Sequence, residues 1–113
     1  MSSANYNLFA QAMKERKQVH CTYREHPRVV CPIILGHTKG EEKALVFQVG
    51  GKSSQRLPPE GEWRCFHLNE VMDVELHDGL WRADSSHRSS QHCVEDVDLD
   101  VNPDSPYSPR RRL

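Results

Sequence analysis

Nowhere does the chain hold a run approaching the roughly 20 apolar residues that a membrane span requires. Its first apolar stretch is too short and too mixed with polar residues for a secretory leader. An excess of one charge sign is missing as well. Fifteen Lys and Arg stand against sixteen Asp and Glu, a formal net charge of −1, so no global field draws in nucleic acid and such binding needs a local patch. Apolar residues are sparse, at 36% with a mean hydropathy of −0.75. For 113 residues this implies one domain with part of the chain outside its core. The four cysteines, Cys21, Cys31, Cys65 and Cys93, contain no Cys-x-x-Cys. Three lie in apolar, strand-like runs, where a reduced cysteine acts as a small buried hydrophobe. A reduced, cytoplasmic protein with no membrane partner is the expectation.

Metal and catalytic constellations are also lacking. The seven histidines, His20, His26, His37, His67, His77, His87 and His92, are scattered, and no spacing matches a zinc module. His67 and Cys65 share a strand face, yet no tetrahedral set completes them. The same scatter opposes a Cys-His catalytic pair, and nothing positions an oxyanion hole. The expectation is therefore no metal, no cofactor and no enzyme.

One stretch imitates a phosphate loop. Ala44-Leu45-Val46-Phe47 feeds into Gly50-Gly51-Lys52-Ser53, as a strand would feed a Gly-Lys-Ser cradle. The motif needs its first glycine five positions before Gly51, and Val46 stands there. It also needs a helix afterwards, which Pro58-Pro59 and Gly61 stop within a turn. The stretch reads instead as a long loop from Gly50 to Glu62. Gly50 and Gly51 permit positive φ and close backbone approach. With Lys52, Ser53 and Ser54, their N–H groups are either a solvated loop or an anion contact.

What is present is periodic. Tyr6, Phe9, Ala10 and Met13 recur at helical spacing, an amphipathic helix of about three turns, with Ser2, Ser3 or Asn5 as its cap. The period then switches to two. Val19, Cys21 and Tyr23 face one way, and His20, Thr22 and Arg24 the other. Glu25-His26-Pro27 reads as a tight turn. Arg28 to Gly36 is a continuous apolar run in which Pro32 implies a bend, a bulge or an edge. Lys43 to Val49 and Trp63 to Leu68 are further strands. In the last, Val71 to Leu76, Met72, Val74 and Leu76 share one face. The whole predicts a mostly β protein, one helix followed by about five strands in a curled antiparallel sheet or barrel.

After Arg82 the composition shifts. Residues 83–113 carry six acidic and four basic side chains, and Ser85 to Ser90 near their start reads as a linker after residues 1–82. Val94, Val97, Leu99 and Val101 alternate with carboxylates. They form either an added edge strand or an extended arm that docks on a neighbour. "NPDSPYSPRRRL", with three prolines, reads as mobile.

Laid out this way, "AMKERKQVHCTYRE", "HPRVVCPIILGHTKGEEKALVFQVGG" and "EGEWRCFHLNEVMDVEL" together resemble a WYL domain, the ligand-sensing module of many bacterial transcription regulators. The Tyr-Arg closing the first strand, the Arg-x-Val-x-Pro opening of the second and the Trp-Arg-x-Phe-x-Leu-(x)2-Val strand carry the likeness, over roughly residues 8 to 80. Ala44-Leu45-Val46 stands where the family's Trp-Tyr-Leu would fall. The resemblance implies a small Sm-like antiparallel β-barrel fronted by a helix, here a stand-alone copy. It also implies a basic-aromatic pocket for small effectors or nucleic acid, linked to transcription regulation.

The residues supply such a pocket. Tyr23, Arg24 and Arg28 flank one turn, a ring beside two guanidiniums, as in the grip on a base or single strand; core packing is the other reading of Tyr23. Arg64 offers a planar fork for phosphate or base edges, or else pairs with Glu62 or Glu70. Trp63 reads as core. The expected function is a non-enzymatic binding module for a nucleotide-like ligand or single-stranded nucleic acid, through Tyr23, Arg24, Arg28, Arg64 and Gly50 to Ser54. The alternative is a homo-oligomeric or adaptor protein that uses its C-terminal arm on a copy of itself or on a regulatory protein partner.

Overall fold

The computed structural model describes residues 3–51, 62–79, 81, 93–101 and 111–112. Helix α1 (Ala4–Glu15) is capped by Ser3, whose Oγ accepts the Tyr6 N–H, and it ends at Arg16 in a left-handed conformation, φ 55°. Phe9, Ala12 and Met13 are buried, with Tyr6 and Ala10 at the margin. The face is therefore the expected one, rotated slightly toward Ala12. Asn5 adds a clamp. Its side-chain amide donates to the carbonyls of Leu68 and Val71 at 2.9 and 2.8 Å.

The strands are β1 (Gln18–Tyr23), β2 (His26–Thr38), β3 (Glu41–Gly51), β4 (Glu62–His67), β5 (Val71–His77), β6 (Asp96–Asp100) and the two-residue β7 (Arg111–Arg112). A 3₁₀ turn, Leu68–Glu70, joins β4 to β5. The sheet order is β4-β3-β2-β1-β5, all antiparallel, with β6 also on β2 and β7 parallel to β6. Among the described residues no ladder joins β4 to β5, so the sheet is open.

Strand β2 organises the molecule. Its residues 26–30 pair with β1 and its residues 34–37 pair with β6, while β3 follows its other edge. The change of partner falls beside Pro32, which cannot donate a ladder hydrogen bond. There the register with β3 skips Ile33, a bulge that re-aims the strand and buries Cys31 to Leu35 on both faces. Gly36 is required by the approach of β6. A Cβ there would collide with the Asp96 carbonyl oxygen and sit 2.8 Å from the Val94 side chain. The acidic-apolar segment thus lies on β2 of its own chain, with Val94, Val97, Leu99 and Val101 buried in the core.

Three local expectations are corrected. The first tight turn is Arg24-Glu25 (φ 50° and 68°), and His26 and Pro27 already belong to β2. Two positive-φ residues match the twist of a two-residue hairpin, but neither is glycine, at about 1–2 kcal/mol each. In β5, Asp73 at φ 53° and Val74 both lie opposite Cys21. That bulge turns Met72 outward, 63% exposed, and leaves Val71 and Leu76 inward. Third, Cys65 and Cys93 form a disulfide, Cα–Cα 5.5 Å, so the cysteines are not all reduced. Cys21 and Cys31 are free and buried.

Candidate anion-binding cleft

The open side of the sheet forms a cleft of about 360 Å³. Tyr23, Arg24, His26 and Arg28 line it from the β1–β2 hairpin, and Trp63, Arg64, Cys65 and Phe66 from edge strand β4. The period of β1 puts Tyr23 inward, where its ring stacks on Phe66 with centroids 4.0 Å apart and planes at 11°. Its hydroxyl accepts the His67 N–H at 3.0 Å and faces Glu70 at 3.5 Å. Burial, first among the influences on it, pushes the Tyr23 hydroxyl pKa up. This residue ties β1 to β4 across the gap the backbone leaves open.

Around the aromatic pair sit guanidiniums. Arg24, lifted by the strained turn, lies 5.1 Å from the Tyr23 ring and pairs with Glu70 at 3.1 Å. That pair is exposed and contributes little stability. Arg28 differs: only 7% of it is exposed. Its guanidinium lies 5.4 Å from the Tyr23 ring and 5.8 Å from Phe66, both within cation–π range. Nη1 donates to Gln48 Oε1 at 3.2 Å and Nη2 to the Tyr23 carbonyl at 3.3 Å. Gln48, fully buried, is held in that orientation by donating its own amide to the Gly50 carbonyl at 3.0 Å.

All of Arg28's acceptors are neutral. Among the described residues no carboxylate pairs with it, and its Nε has no hydrogen-bond partner. Burial and then the nearby Arg64 charge pull its pKa down. A buried cation without a counter-charge is costly, and an unfilled buried donor marks a place where an ion or water is expected. Opposite Arg28 on β1, the Cys21 thiol is pushed up to about 12 by burial, so it supplies no anion.

Tyr23, Arg24, Arg28 and Arg64 line the same cleft, Tyr23 as a buried, core-packed ring with its hydroxyl on β4. Of the two carboxylates expected for Arg64, Glu70 is engaged by Arg24 and Tyr23, and the Glu62 side chain lies outside the description. Gly50 and Gly51 reach the site's margin through register, opposite Val29 and Arg28. They lie in β3 rather than in a positive-φ loop. Lys52, Ser53 and Ser54 lie outside the described residues. Missed from the sequence were His26 and Phe66, which line the cleft, and Gln48, which orients Arg28. Cys65 also lines it, while Trp63, half-buried and edge-on to Phe47, lines the cleft instead of belonging wholly to the core. The legible signal was Gln48, an amide inside an apolar strand. Among the described residues no three His, Cys, Asp or Glu side chains converge on a metal position.

No protein-family model matches the chain, no curated protein matches its sequence, and no solved structure matches its fold.

Proposed function

We propose that the chain is a non-enzymatic binding module whose cleft holds a compact, nucleotide-like anion, with a role in regulation of the kind WYL domains serve. The observation that carries this is Arg28, a buried guanidinium held by neutral acceptors beneath aromatic rings. A phosphate would supply the missing charge, with Arg64 and Arg24 above it. A flat base suits the half-buried Trp63 on the edge strand. A volume near 360 Å³ lies at the small-ligand end of the pocket range, which favours one nucleotide over a long strand. The helix-first order and the curled five-strand sheet support reading the fold as an Sm-like barrel whose seam is the cleft. The assembly reading has less behind it, because the segment it relied on is engaged with β2 of its own chain.

The test is a thermal-shift and fluorescence screen of wild type and Arg28→Met at two salt concentrations. Mono-, di- and cyclic nucleotides, and short single-stranded DNA and RNA, are the probes. A salt-sensitive nucleotide hit lost in the variant is expected. A hit only with strands would move the ligand to nucleic acid, and no hit with any probe would overturn the proposal.

A further inference from the structure

The cleft holds one group that anion binding does not use. Cys65 is an exposed residue set between Arg64 and Phe66 on the edge strand, while its disulfide partner Cys93 is only 8% exposed. Cys93 is pinned from both sides. Thr38 Oγ1 donates to the Cys93 carbonyl at 2.7 Å and accepts the Glu95 N–H at 3.0 Å. The β6 ladder follows at once, and Leu99 and Val101 anchor it in the core. The connection therefore does not depend on the disulfide alone. The other two thiols are buried, and Cys21 has been pushed far from reactivity. Reactive cysteines are those exposed in an electropositive setting, and Cys65 lies in a cleft also lined by Arg24, Arg28 and Arg64.

We propose that Cys65 and Cys93 are a reversible redox couple that exchanges with an anionic low-molecular-weight thiol of the glutathione class, Cys65 being the sulfur attacked and Cys93 the resolving partner. The thiolate of one such molecule bonds to Cys65 Sγ. The Sγ–Sγ bond breaks, and Cys93 leaves as a thiolate that takes a proton from water. A second thiolate then attacks the outer sulfur of the mixed disulfide. It releases the oxidised small disulfide and leaves Cys65 as a thiolate. Two electrons pass from two thiols to one protein disulfide. The arginines select for a carboxylate-bearing thiol because they raise its local concentration at Cys65. The inference rests on the position of Cys65 in the cleft and not on the cleft's ligand, so it can stand where nucleotide binding fails.

The experiment follows opening of the native disulfide by mass spectrometry after alkylation. Glutathione, neutral 2-mercaptoethanol and cationic cysteamine are compared, each rate normalised to the same thiol's rate on a small uncharged disulfide. Glutathione is expected to lead cysteamine by about tenfold at low salt, and the lead should shrink toward parity near ~1 M salt. Arg24→Gln, an exposed change, should reduce it. In Cys93→Ser, oxidised glutathione should leave its adduct on Cys65; the wild-type arms decide alone if this variant does not fold. The proposal is overturned by a bond that opens only in denaturant, by equal normalised rates for the three thiols, by a first adduct on Cys93, or by four free thiols in protein equilibrated with oxidised glutathione.

Discussion

Two tyrosines anchor two polar clusters, and the clusters are built on opposite logic. Tyr6 of α1 donates to Asp98 at 2.5 Å, and His37 of β2 meets the same carboxylate at 3.1 Å while its ring stacks 5.7 Å from Tyr6. Asp98 is the residue that the β2–β6 register skips, so a bulge aims its carboxylate at these partners. Helix, sheet and C-terminal segment are closed together there by groups that answer one another. Tyr23 instead sits among Arg24, Arg28 and Phe66, with Arg28 held only by neutral oxygens. A cluster whose polar groups hydrogen-bond one another stabilises the fold; one that leaves a buried charge unanswered is poised for something from outside.

The sharpest way to break the self-sufficient side is Gly36→Val. The added side chain meets the Asp96 backbone and Val94, which cannot give without moving β6. A loss of about 3 kcal/mol is expected from urea unfolding. The cleft, built from β1, β4 and the opposite end of β2, should keep whatever affinity the fold retains.

Arg28→Met tests the other side and separates stability from binding. Methionine fills similar space without the charge, so stability should stay within about 1 kcal/mol of wild type. Nucleotide affinity, read by calorimetry, should fall about 10- to 100-fold, the loss expected for charge-assisted hydrogen bonds. A large destabilisation with unchanged binding would make Arg28 a structural residue and erase the contrast.

Tyr6→Phe is the milder counterpart. It removes one hydrogen bond to a carboxylate and should lower stability by about 1.5 kcal/mol, with no change in cleft affinity.

The smallest effect concerns His20, whose ring lies 4.1 Å from that of His77 across β1 and β5. Burial, and after it the charge of His77, hold its pKa below the ordinary 6.5, with Glu75 pulling the other way. The unfolded chain therefore binds this proton more readily. The contribution is intact above the ordinary value and is lost as pH falls from there through the folded-state value. His20→Asn should flatten the acid side of a stability–pH profile below about 6.5, measured by urea midpoints.

Much of this was legible because it is local. The period of 3.6 in Tyr6 to Met13 and of 2 in Val19 to Tyr23 marked the helix and first strand. Of the bend, bulge or edge that Pro32 implied, the bulge is what formed. Tyr23, Arg24 and Arg28 are close in sequence, so a hairpin is enough to gather them. What was not legible depends on long closures. Tyr6 and Asp98 are 92 residues apart, and nothing in either neighbourhood names the other. Four cysteines allow three full pairings besides the reduced state, and Cys65 looked like another inward residue of an apolar strand. The β5 bulge escaped because Val71 to Leu76 alternates cleanly, and only pairing with β1 shows that Asp73 and Val74 share one partner.

The measurement that bears most directly on the central claim is an NMR titration of the arginine side-chain N–H resonances with a nucleoside monophosphate, at low and at moderate salt. The account predicts that the Arg28 guanidinium signals shift progressively and saturate, more weakly at higher salt, while those of Arg16, stacked on Trp81, stay in place. Arg28 signals unmoved at saturating nucleotide, or shifting no more than those of Arg16, would contradict it.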